Sequence, residues 1–426
     1  MYTAAIHLLT LVVFTRIGEL FPVLMPLHLG KVGFAFSAMV LLAAGGRTFG
    51  ELPRMPLLRH VLLLLAIAAC GVPFSVWRAG ALEGLEAYAQ TVYVFVALVL
   101  LAVRGRVGVL RMGLLLGVMV LGTCLLLERG FSRAYVSTTY DANDLAVLFA
   151  MFIPVLVAEG MAGVGGMRVA GWVGAATAFV GMAMTQSRGG LIALGVMAVQ
   201  VVLSSRRRVP LLVLLVVAAV VFYHYADASY WDRFSILGDA EDDYNVSDKT
   251  GRIELWKSGL EMTLAKPFLG VGIGQFAPAN FMYGNGVYLT AHNAYIQIAA
   301  ETGLVSLCIY LLMLRGMSRI ISQGVARAAD DVRARSRWLG LRYGLTAFMT
   351  GILFISKAYG ATFYCFVALV VAMDMTERAA SATREAGERW AERAAQAGRV
   401  LVAAQGVPPS RRGTAFTSGS ARGAAA

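Results

Sequence analysis

Two arginines and a histidine lie at the edges of apolar segments, where ionisable side chains are costly and commonly functional. Arg188 belongs to Ser187-Arg188-Gly189-Gly190, a tight connection between two apolar segments. The two glycines would let the backbone turn sharply and leave room for a bulky ligand. An arginine here would either bind an anionic ligand through its fixed positive charge or reach the lipid headgroups beside it.

Arg252 follows Thr250-Gly251 and begins a segment with apolar residues at positions 253, 256, 260 and 264. These positions share one face of a helix, so the spacing predicts a helix from Arg252 to Leu264 that lies on a membrane surface. A cation in the first turn of a helix is electrostatically unfavourable. A bound anion such as a diphosphate would remove that penalty and would also accept hydrogen bonds from the helix N–H groups.

His292 opens an apolar segment that also contains Asn293, Tyr295 and Glu301. An imidazole with the usual pKa of about 6.5 is largely uncharged at neutral pH and can accept a proton as a general base. A histidine at the start of a helix also commonly acts as a cap, and this alternative stays open. Glu301 follows nine residues later, about 180° around a helix, so we expect it to bond to a neighbouring helix instead.

Asp141 and Asn143 stand where another apolar segment begins, as part of Tyr140-Asp141-Ala142-Asn143-Asp144. Such residues favour either a helix cap or a supporting role in a site. No second histidine or carboxylate has metal-ligand spacing with His292, so we predict neither a bound metal nor a cofactor. The four cysteines all lie inside apolar segments and predict no disulfide framework.

The composition is that of an integral membrane protein. Of the 426 residues, 58% are hydrophobic and 15% are charged, against roughly 45–50% and about 25% in soluble domains. This pattern predicts an all-α, polytopic membrane fold and excludes a soluble enzyme, a nucleic-acid-binding module or a disordered scaffold. The net charge of +12 fits the excess of Lys and Arg in cytoplasmic connections better than it fits a nucleic-acid partner.

Twelve apolar segments are predicted to span the membrane. They cover approximately residues 2–24, 29–45, 57–76, 87–103, 107–127, 142–160, 166–186, 189–204, 209–225, 292–314, 337–356 and 358–374. With a cytoplasmic N-terminus, the cytoplasmic connections carry 17 Lys and Arg, the tail carries 8, and the opposite connections carry 12. Both termini are therefore predicted to be cytoplasmic.

The chain divides into a transmembrane domain, residues 1–375, and a cytoplasmic tail, residues 376–426. Within the first, residues 226–291 form a polar loop of 66 residues on the extracytoplasmic side. We expect this loop to be ordered, because it contains aromatic residues, a predicted helix and a Gly-rich turn at 270–274. The tail has a helical pattern to about residue 404 and then a composition typical of disorder.

Four motifs, in this order, resemble those of one family. They are Ser-Arg-Gly-Gly from residue 187, Thr-Gly-Arg-x-x-x-Trp from residue 250, Pro-Phe-x-Gly-x-Gly-x-Gly-x-Phe from residue 267, and His-Asn-x-Tyr-(x)5-Glu-x-Gly-Leu from residue 292. Together they resemble the O-antigen ligase/polymerase superfamily of bacterial membrane glycosyltransferases. The resemblance is strongest over residues 180–315, and the predicted spans and their orientation agree with it across residues 1–375.

The resemblance implies transfer of a glycan from an undecaprenyl-diphosphate carrier to an acceptor hydroxyl at the outer face of the inner membrane. The acceptor would be lipid A-core in a ligase, or another lipid-linked repeat unit in a polymerase. The reaction would be metal-independent and inverting. Arg188 and Arg252 would hold the diphosphate, and His292 would act as general base. Four residues are expected to support this site, namely Asp141, Asn143, Asn293 and Tyr295.

A secondary transporter or flippase of cell-envelope glycolipids is the main alternative, because twelve spans with both ends inside suit it equally well. The polar and basic groups gather at one outer face and are joined by the largest loop, which favours the glycosyltransferase. Transporters more often place charges near the midplane of the bilayer. A membrane assembly protein would need no such cluster. The sugar, the acceptor and the choice between ligase and polymerase stay open.

Overall fold

The computed structural model describes residues 1–129, 141–206, 208–225 and 250–404, and these residues contain helices and no β-strand. The α-helices are α1 Tyr2–Thr15, α2 Ile17–Leu20, α3 Leu29–Ala44, α4 Gly46–Phe49, α5 Leu58–Gly71, α6 Arg78–Ala102, α7 Val107–Arg129, α8 Ala142–Ala162, α9 Gly166–Met184, α10 Arg188–Ser204, α11 Arg208–Tyr225, α12 Arg252–Ala265, α13 Phe276–Tyr283, α14 Ala294–Arg327, α15 Val332–Gly351 and α16 Ala361–Ala404. Of the predicted loop 226–291, residues 226–249 lie outside the described residues.

Six helical segments in the described chain are long and apolar enough to cross a membrane. They are Val23–Ala44, Arg78–Ala102, Val107–Leu127, Ala142–Ala162, Gly166–Met184 and Ala294–Arg327. Shorter apolar helices occur at Tyr2–Thr15, Leu58–Phe74, Arg188–Ser204 and Arg208–Val217. The predicted class, an all-helical multi-pass membrane protein, is thereby confirmed. Each of the twelve predicted segments overlaps a helix, but the number of twelve crossings stays a prediction.

Several helix boundaries differ from the predicted ones. The first predicted span, 2–24, is interrupted after Thr15, because Arg16 takes a left-handed backbone (φ 46°); the short helix α2 and a proline-containing 3-10 segment follow. In contrast, α6 begins nine residues before its predicted span, and α14 and α16 continue to Arg327 and Ala404. Apolar patterning ends where charged residues begin, whereas a helix backbone continues past that point.

The helix α8 lies at the centre of the bundle and packs against α9, α10 and α15. Its Phe152 ring contacts Phe14 of α1 and Phe366 of α16, with ring centroids 5.2 and 5.9 Å apart. Both pairs are edge-to-face, the arrangement that the charge distribution of aromatic rings favours. Because α8 is held from several sides, the position of its first turn is fixed by the core.

Ion pairs join the helices at one end of the bundle, which we call the charged end. Glu159 near the end of α8 is almost fully buried and accepts hydrogen bonds from Arg111 of α7 at 2.8 Å and Arg337 of α15 at 3.0 Å. Arg327 and Asp374 form a second pair at 2.7 Å. Buried carboxylates need such partners to remain charged. The first turn of α8 is about 25 Å away along the helix axis, and this opposite end is the site end.

The chain forms two compact units, Met1–Thr376 and Glu377–Ala426. The packing contacts and ion pairs described above belong to the first unit. In the second unit, the described residues 377–404 are helical, and their side chains are exposed wherever they are described beyond position 377.

Candidate active site

Three helices start at the site end with a side-chain cap. Asp141 caps α8, and its carboxylate accepts a hydrogen bond from the Asp144 N–H at 2.8 Å. Ser187 caps α10, and Asn293 caps α14 by accepting bonds from the N–H groups two and three residues later, at 3.0 and 3.2 Å. These caps satisfy N–H groups that a helix start leaves free. The helix cap expected as one alternative for Asp141 is therefore observed, whereas the cap of α14 is Asn293 rather than His292.

A hydrogen bond joins the starts of α8 and α10. The buried Ser187 hydroxyl donates to Asn143 Oδ1 at 2.7 Å. Close by, Gly190 lies so near α8 that a Cβ there would collide with the Ala146 side chain. Arg188, the first residue of α10, is half-buried beside these contacts.

The tight connection before α10 is made differently from the sequence prediction. The residue with a left-handed backbone is Gln186 (φ 50°), not one of the two glycines. Gly189 and Gly190 lie inside the first turn of α10, where the absence of a side chain lets neighbouring elements approach closely. Their role in the structure is therefore packing rather than turning.

Phe354, in the connection between α15 and α16, contacts both arginine segments. A Cβ on Gly189 would lie 2.7 Å from Phe354 Cβ, so the backbone beside Arg188 rests on this residue. The guanidinium carbon of Arg252 lies 5.8 Å from the centre of the Phe354 ring, which is within the range of cation–π attraction. Phe354 thus brings the segment of Arg188 and the side chain of Arg252 to one place.

His292 is half-buried and has a left-handed backbone (φ 47°), which histidine and asparagine adopt more readily than most residues. The carbonyl just before it accepts a hydrogen bond from Trp256 Nε1 of α12 at 3.0 Å. Two residues after it, a backbone N–H donates to the Ile352 carbonyl at 2.8 Å. The Tyr295 hydroxyl donates to the Met349 carbonyl at 3.0 Å. Contacts on both sides therefore hold the backbone that carries the imidazole.

The pKa of His292 lies below its usual value of 6.5. Burial is the largest cause, and the positive charge of Arg252 lowers the pKa further, while the Asp141 carboxylate raises it. The charges of Arg252 and Asp141 thus both act on the imidazole. A lowered pKa favours the uncharged imidazole, which is the form that can accept a proton.

The Gly-rich turn 270–274 closes a break in α14. At Gly303 (φ 85°, ψ 170°) the backbone leaves helical geometry, and two carbonyls before the break accept hydrogen bonds from N–H groups of the turn at 2.8 and 2.9 Å. The buried Glu301 side chain accepts a bond from the Phe276 N–H, at the start of α13, at 3.3 Å. Glu301 thus bonds to a neighbouring helix as predicted, and it supports the segment that carries His292.

A small cleft of about 80 Å³ opens at the site end between α1, α8, α15 and the start of α16. Its walls are mainly apolar, and its charged lining residues are Arg16, Asp144 and Lys357. Lys357 Nζ lies 3.1 Å from Asp144 Oδ2. An apolar cleft with cations at its rim suits a molecule that has an anionic group attached to a hydrocarbon chain.

Residues 173–311 match the family model described as O-antigen ligase. This segment, about a third of the chain, is similar to the O-antigen ligase family. The match confirms the resemblance that the four motifs indicated, while no curated protein matches the chain. The O-antigen ligase segment contains Arg188, Arg252 and His292, whereas Asp141 and Phe354 lie outside it.

The described structure brings the sequence-predicted site residues to the site end. They are Asp141, Asn143, Arg188, Arg252, His292, Asn293 and Tyr295. Sequence reasoning missed Phe354 and Lys357, although Lys357 is a cation in a short connection between two apolar segments, which is a usable signal. Within the described residues, no group of three or more His, Cys, Asp or Glu side chains is arranged to hold a metal ion.

Proposed function

We propose that this protein transfers a glycan from an undecaprenyl-diphosphate carrier to an acceptor hydroxyl at the periplasmic face of the bacterial inner membrane. One observation carries the proposal. Inside the O-antigen ligase segment, a half-buried His292 with a lowered pKa lies beside Arg252. A proton acceptor next to a fixed cation is what attack on a glycosyl diphosphate requires.

In this reaction the acceptor oxygen attacks the anomeric carbon, and the bond from that carbon to the diphosphate oxygen breaks. The diphosphate leaves with the bonding electrons, and the hydroxyl proton passes to the imidazole of His292. Arg188 and Arg252 bind the diphosphate and stabilise the charge that develops on it. A single displacement of this kind inverts the anomeric configuration. The arginines supply the positive charge that a divalent metal supplies in other enzymes.

The cleft beside Asp144 and Lys357 supports a lipid-linked donor. Its apolar walls suit the first part of an isoprenoid chain, and the N-terminal end of α8 together with Arg16 and Lys357 in the lining suits a diphosphate.

The distribution of Lys and Arg supports an extracytoplasmic site end. The Tyr2 ring lies 4.5 Å from the guanidinium carbon of Arg106, which follows α6, so the N-terminus lies at the charged end together with the most basic connections. We place this end in the cytoplasm with both termini. Reporter fusions at residues 245 and 285 should be active outside the cytoplasm, and fusions at residues 330 and 400 inside. A cytoplasmic location of residue 285 would overturn the proposal.

The decisive experiment replaces His292 with asparagine. Asparagine tolerates the left-handed backbone at this position but cannot accept a proton as imidazole does. His292→Asn should lower turnover by roughly 10²–10⁴-fold in proteoliposomes with a lipid-linked donor. Its abundance and thermal stability should equal those of the unmodified protein. Turnover close to normal in this variant would remove His292 from the mechanism.

Two kinds of substitution test the two arginines: alanine removes the charged side chain, and lysine keeps the charge but changes its shape. Arg252→Ala should weaken transfer by roughly tenfold to over a hundredfold, because a charge-assisted contact is worth about 1.5–3 kcal/mol. Arg252→Lys should restore only part of this, since an ammonium group cannot make a two-pronged contact. Arg188→Ala should weaken transfer to a similar extent. In the variant that carries both substitutions, the two losses should not add, because both arginines bind the same diphosphate. A fully active Arg188→Lys would instead indicate contact with lipid headgroups.

The acceptor distinguishes a ligase from a polymerase. Loss of a ligase leaves the polymer made but unattached to lipid A-core, whereas loss of a polymerase leaves single repeat units. Glycan analysis of a deletion strain separates the two.

A further inference from the structure

The segment between Lys266 and His292 is uncharged and rich in exposed aromatic residues. Residues 267–291 contain no Lys, Arg, Asp or Glu. At its centre, Phe281, Tyr283 and Tyr288 are exposed to 57%, 74% and 61%. We call these three residues the aromatic platform. Large aromatic side chains with this much exposure in a neutral segment indicate a surface that contacts something else.

The aromatic platform stands on a rigid base. The fully buried Asn280 donates from Nδ2 to Asn285 Oδ1 at 2.8 Å and to the Val287 carbonyl at 2.6 Å. Above this bond network, the Phe281 and Tyr288 rings meet edge to face with centroids 6.4 Å apart. The other face of α13 is buried in a small apolar cluster that includes Phe276. The three aromatic side chains are therefore presented by a preorganised segment, with Phe281 and Tyr283 in α13 and Tyr288 in the loop after it, which lowers the entropy lost on binding.

The aromatic platform borders the candidate active site. Tyr288 lies four residues before His292, so their Cα atoms are within about 14 Å even in a fully extended chain. The end of this short connection is held in place, because the carbonyl just before His292 accepts the bond from Trp256 at 3.0 Å. A molecule that contacts the platform can therefore reach the imidazole.

We propose that the aromatic platform binds sugar rings of the glycan that reacts at His292, an inference that rests on the proposed function. A sugar ring has an apolar C–H face that packs on an aromatic ring and a hydroxyl rim that hydrogen-bonds to polar neighbours. Phe281 supplies an apolar face, and Tyr283 and Tyr288 supply faces with a hydroxyl. The absence of charge in residues 267–291 suits uncharged sugars.

A second group of exposed aromatic residues shows what a membrane-contacting surface looks like in this protein. Phe74, Trp77 and Phe268 are exposed, and cations flank them. Lys266 Nζ donates to the Phe74 carbonyl at 3.1 Å, and Arg78 follows Trp77 directly. Aromatic residues beside Lys and Arg are typical of the membrane–water interface. The segment 267–291 that carries the aromatic platform contains no Lys or Arg, which favours a glycan over lipid.

The test uses the full-length protein in nanodiscs and, as probe, the lipid-free oligosaccharide that mild acid releases from the cell's own lipid-linked glycan. Saturation-transfer NMR measures its binding. The variant carrying Phe281→Ser, Tyr283→Ser and Tyr288→Ser should raise the Kd at least tenfold, or about 1.4 kcal/mol. The matched control carries Phe74→Ser, Trp77→Ser and Phe268→Ser, and it should leave the Kd unchanged. The single variant Phe281→Trp keeps an aromatic face and should retain binding.

Three further results distinguish glycan binding at the aromatic platform from catalysis and from contact with lipid. His292→Asn should lower turnover by roughly 10²–10⁴-fold but change the Kd by less than twofold, so binding at the platform is judged apart from catalysis. In nanodiscs of dibrominated phosphatidylcholine, the added fluorescence of Phe281→Trp should be quenched much less than that of Phe268→Trp. Equal quenching at both positions would assign the platform to lipid. An unchanged Kd in the triple variant, or no saturation transfer to the unmodified protein, would also overturn the proposal.

Discussion

Replacing Phe354 with leucine should weaken glycan transfer by about two- to fivefold. The change keeps an apolar side chain under Gly189 but removes the ring that lies 5.8 Å from the Arg252 guanidinium carbon. This distance is near the outer limit of about 6 Å for cation–π attraction, and Phe354 is half-buried, so the contact is worth about 0.5–1 kcal/mol. At 1.36 kcal/mol for each factor of ten, this energy gives roughly two- to fivefold in kcat/KM.

The assay is transfer of a fluorescent lipid-linked glycan in proteoliposomes at matched protein abundance. If Phe354 acts by orienting Arg252, Phe354→Leu should cost nothing further in a chain that already carries Arg252→Ala. Phe354→Tyr should restore transfer, since it restores the ring. The exposed neighbour Leu353 provides a control, and Leu353→Ala should have no effect. An equal loss from Phe354→Leu with and without Arg252 would refute the reasoning.

Three other predictions concern the same site. Arg252 lowers and Asp141 raises the pKa of His292. The acid limb of the kcat/KM profile should therefore move to higher pH in Arg252→Ala and to lower pH in Asp141→Asn. Shifts of both variants in the same direction would contradict this assignment. Gly190→Ala should lower thermal stability in detergent by about 1–3 kcal/mol through overpacking against α8. Ala146→Gly in the same chain should restore most of the lost stability. If it restores none, α8 and α10 do not contact each other at this point. Transfer by purified protein should continue in excess EDTA, and a loss reversed by magnesium would show that a metal binds the diphosphate.

Features that depend on neighbouring residues were predictable from the sequence. The helix predicted from Arg252 to Leu264 is observed as Arg252–Ala265, and a cap at Asp141 follows from the preference of Asp for helix starts. The three residues proposed for chemical roles, Arg188, Arg252 and His292, stood out because a cation or an imidazole beside an apolar segment is unusual. All of these signals are local.

Contacts between distant segments left no such signal. Phe354 is more than 100 residues from either arginine in the chain, and neither periodicity nor spacing in one sequence pairs a ring with a guanidinium over that separation. The break at Gly303 was missed for a related reason. Apolar periodicity continues on both sides of it, and the turn that satisfies the open carbonyls lies about thirty residues earlier.

The break in α14 also has a consequence for its stability in the bilayer. The carbonyls of Ala300 and Glu301 bond to the N–H groups of the turn 270–274, so α14 does not satisfy its own backbone. An unpaired backbone group in lipid costs several kcal/mol. The helix is therefore more stable in the bilayer when the preceding loop has folded against it than as an independent span. The segment 173–311 that matches the family model contains both the break and the turn that closes it.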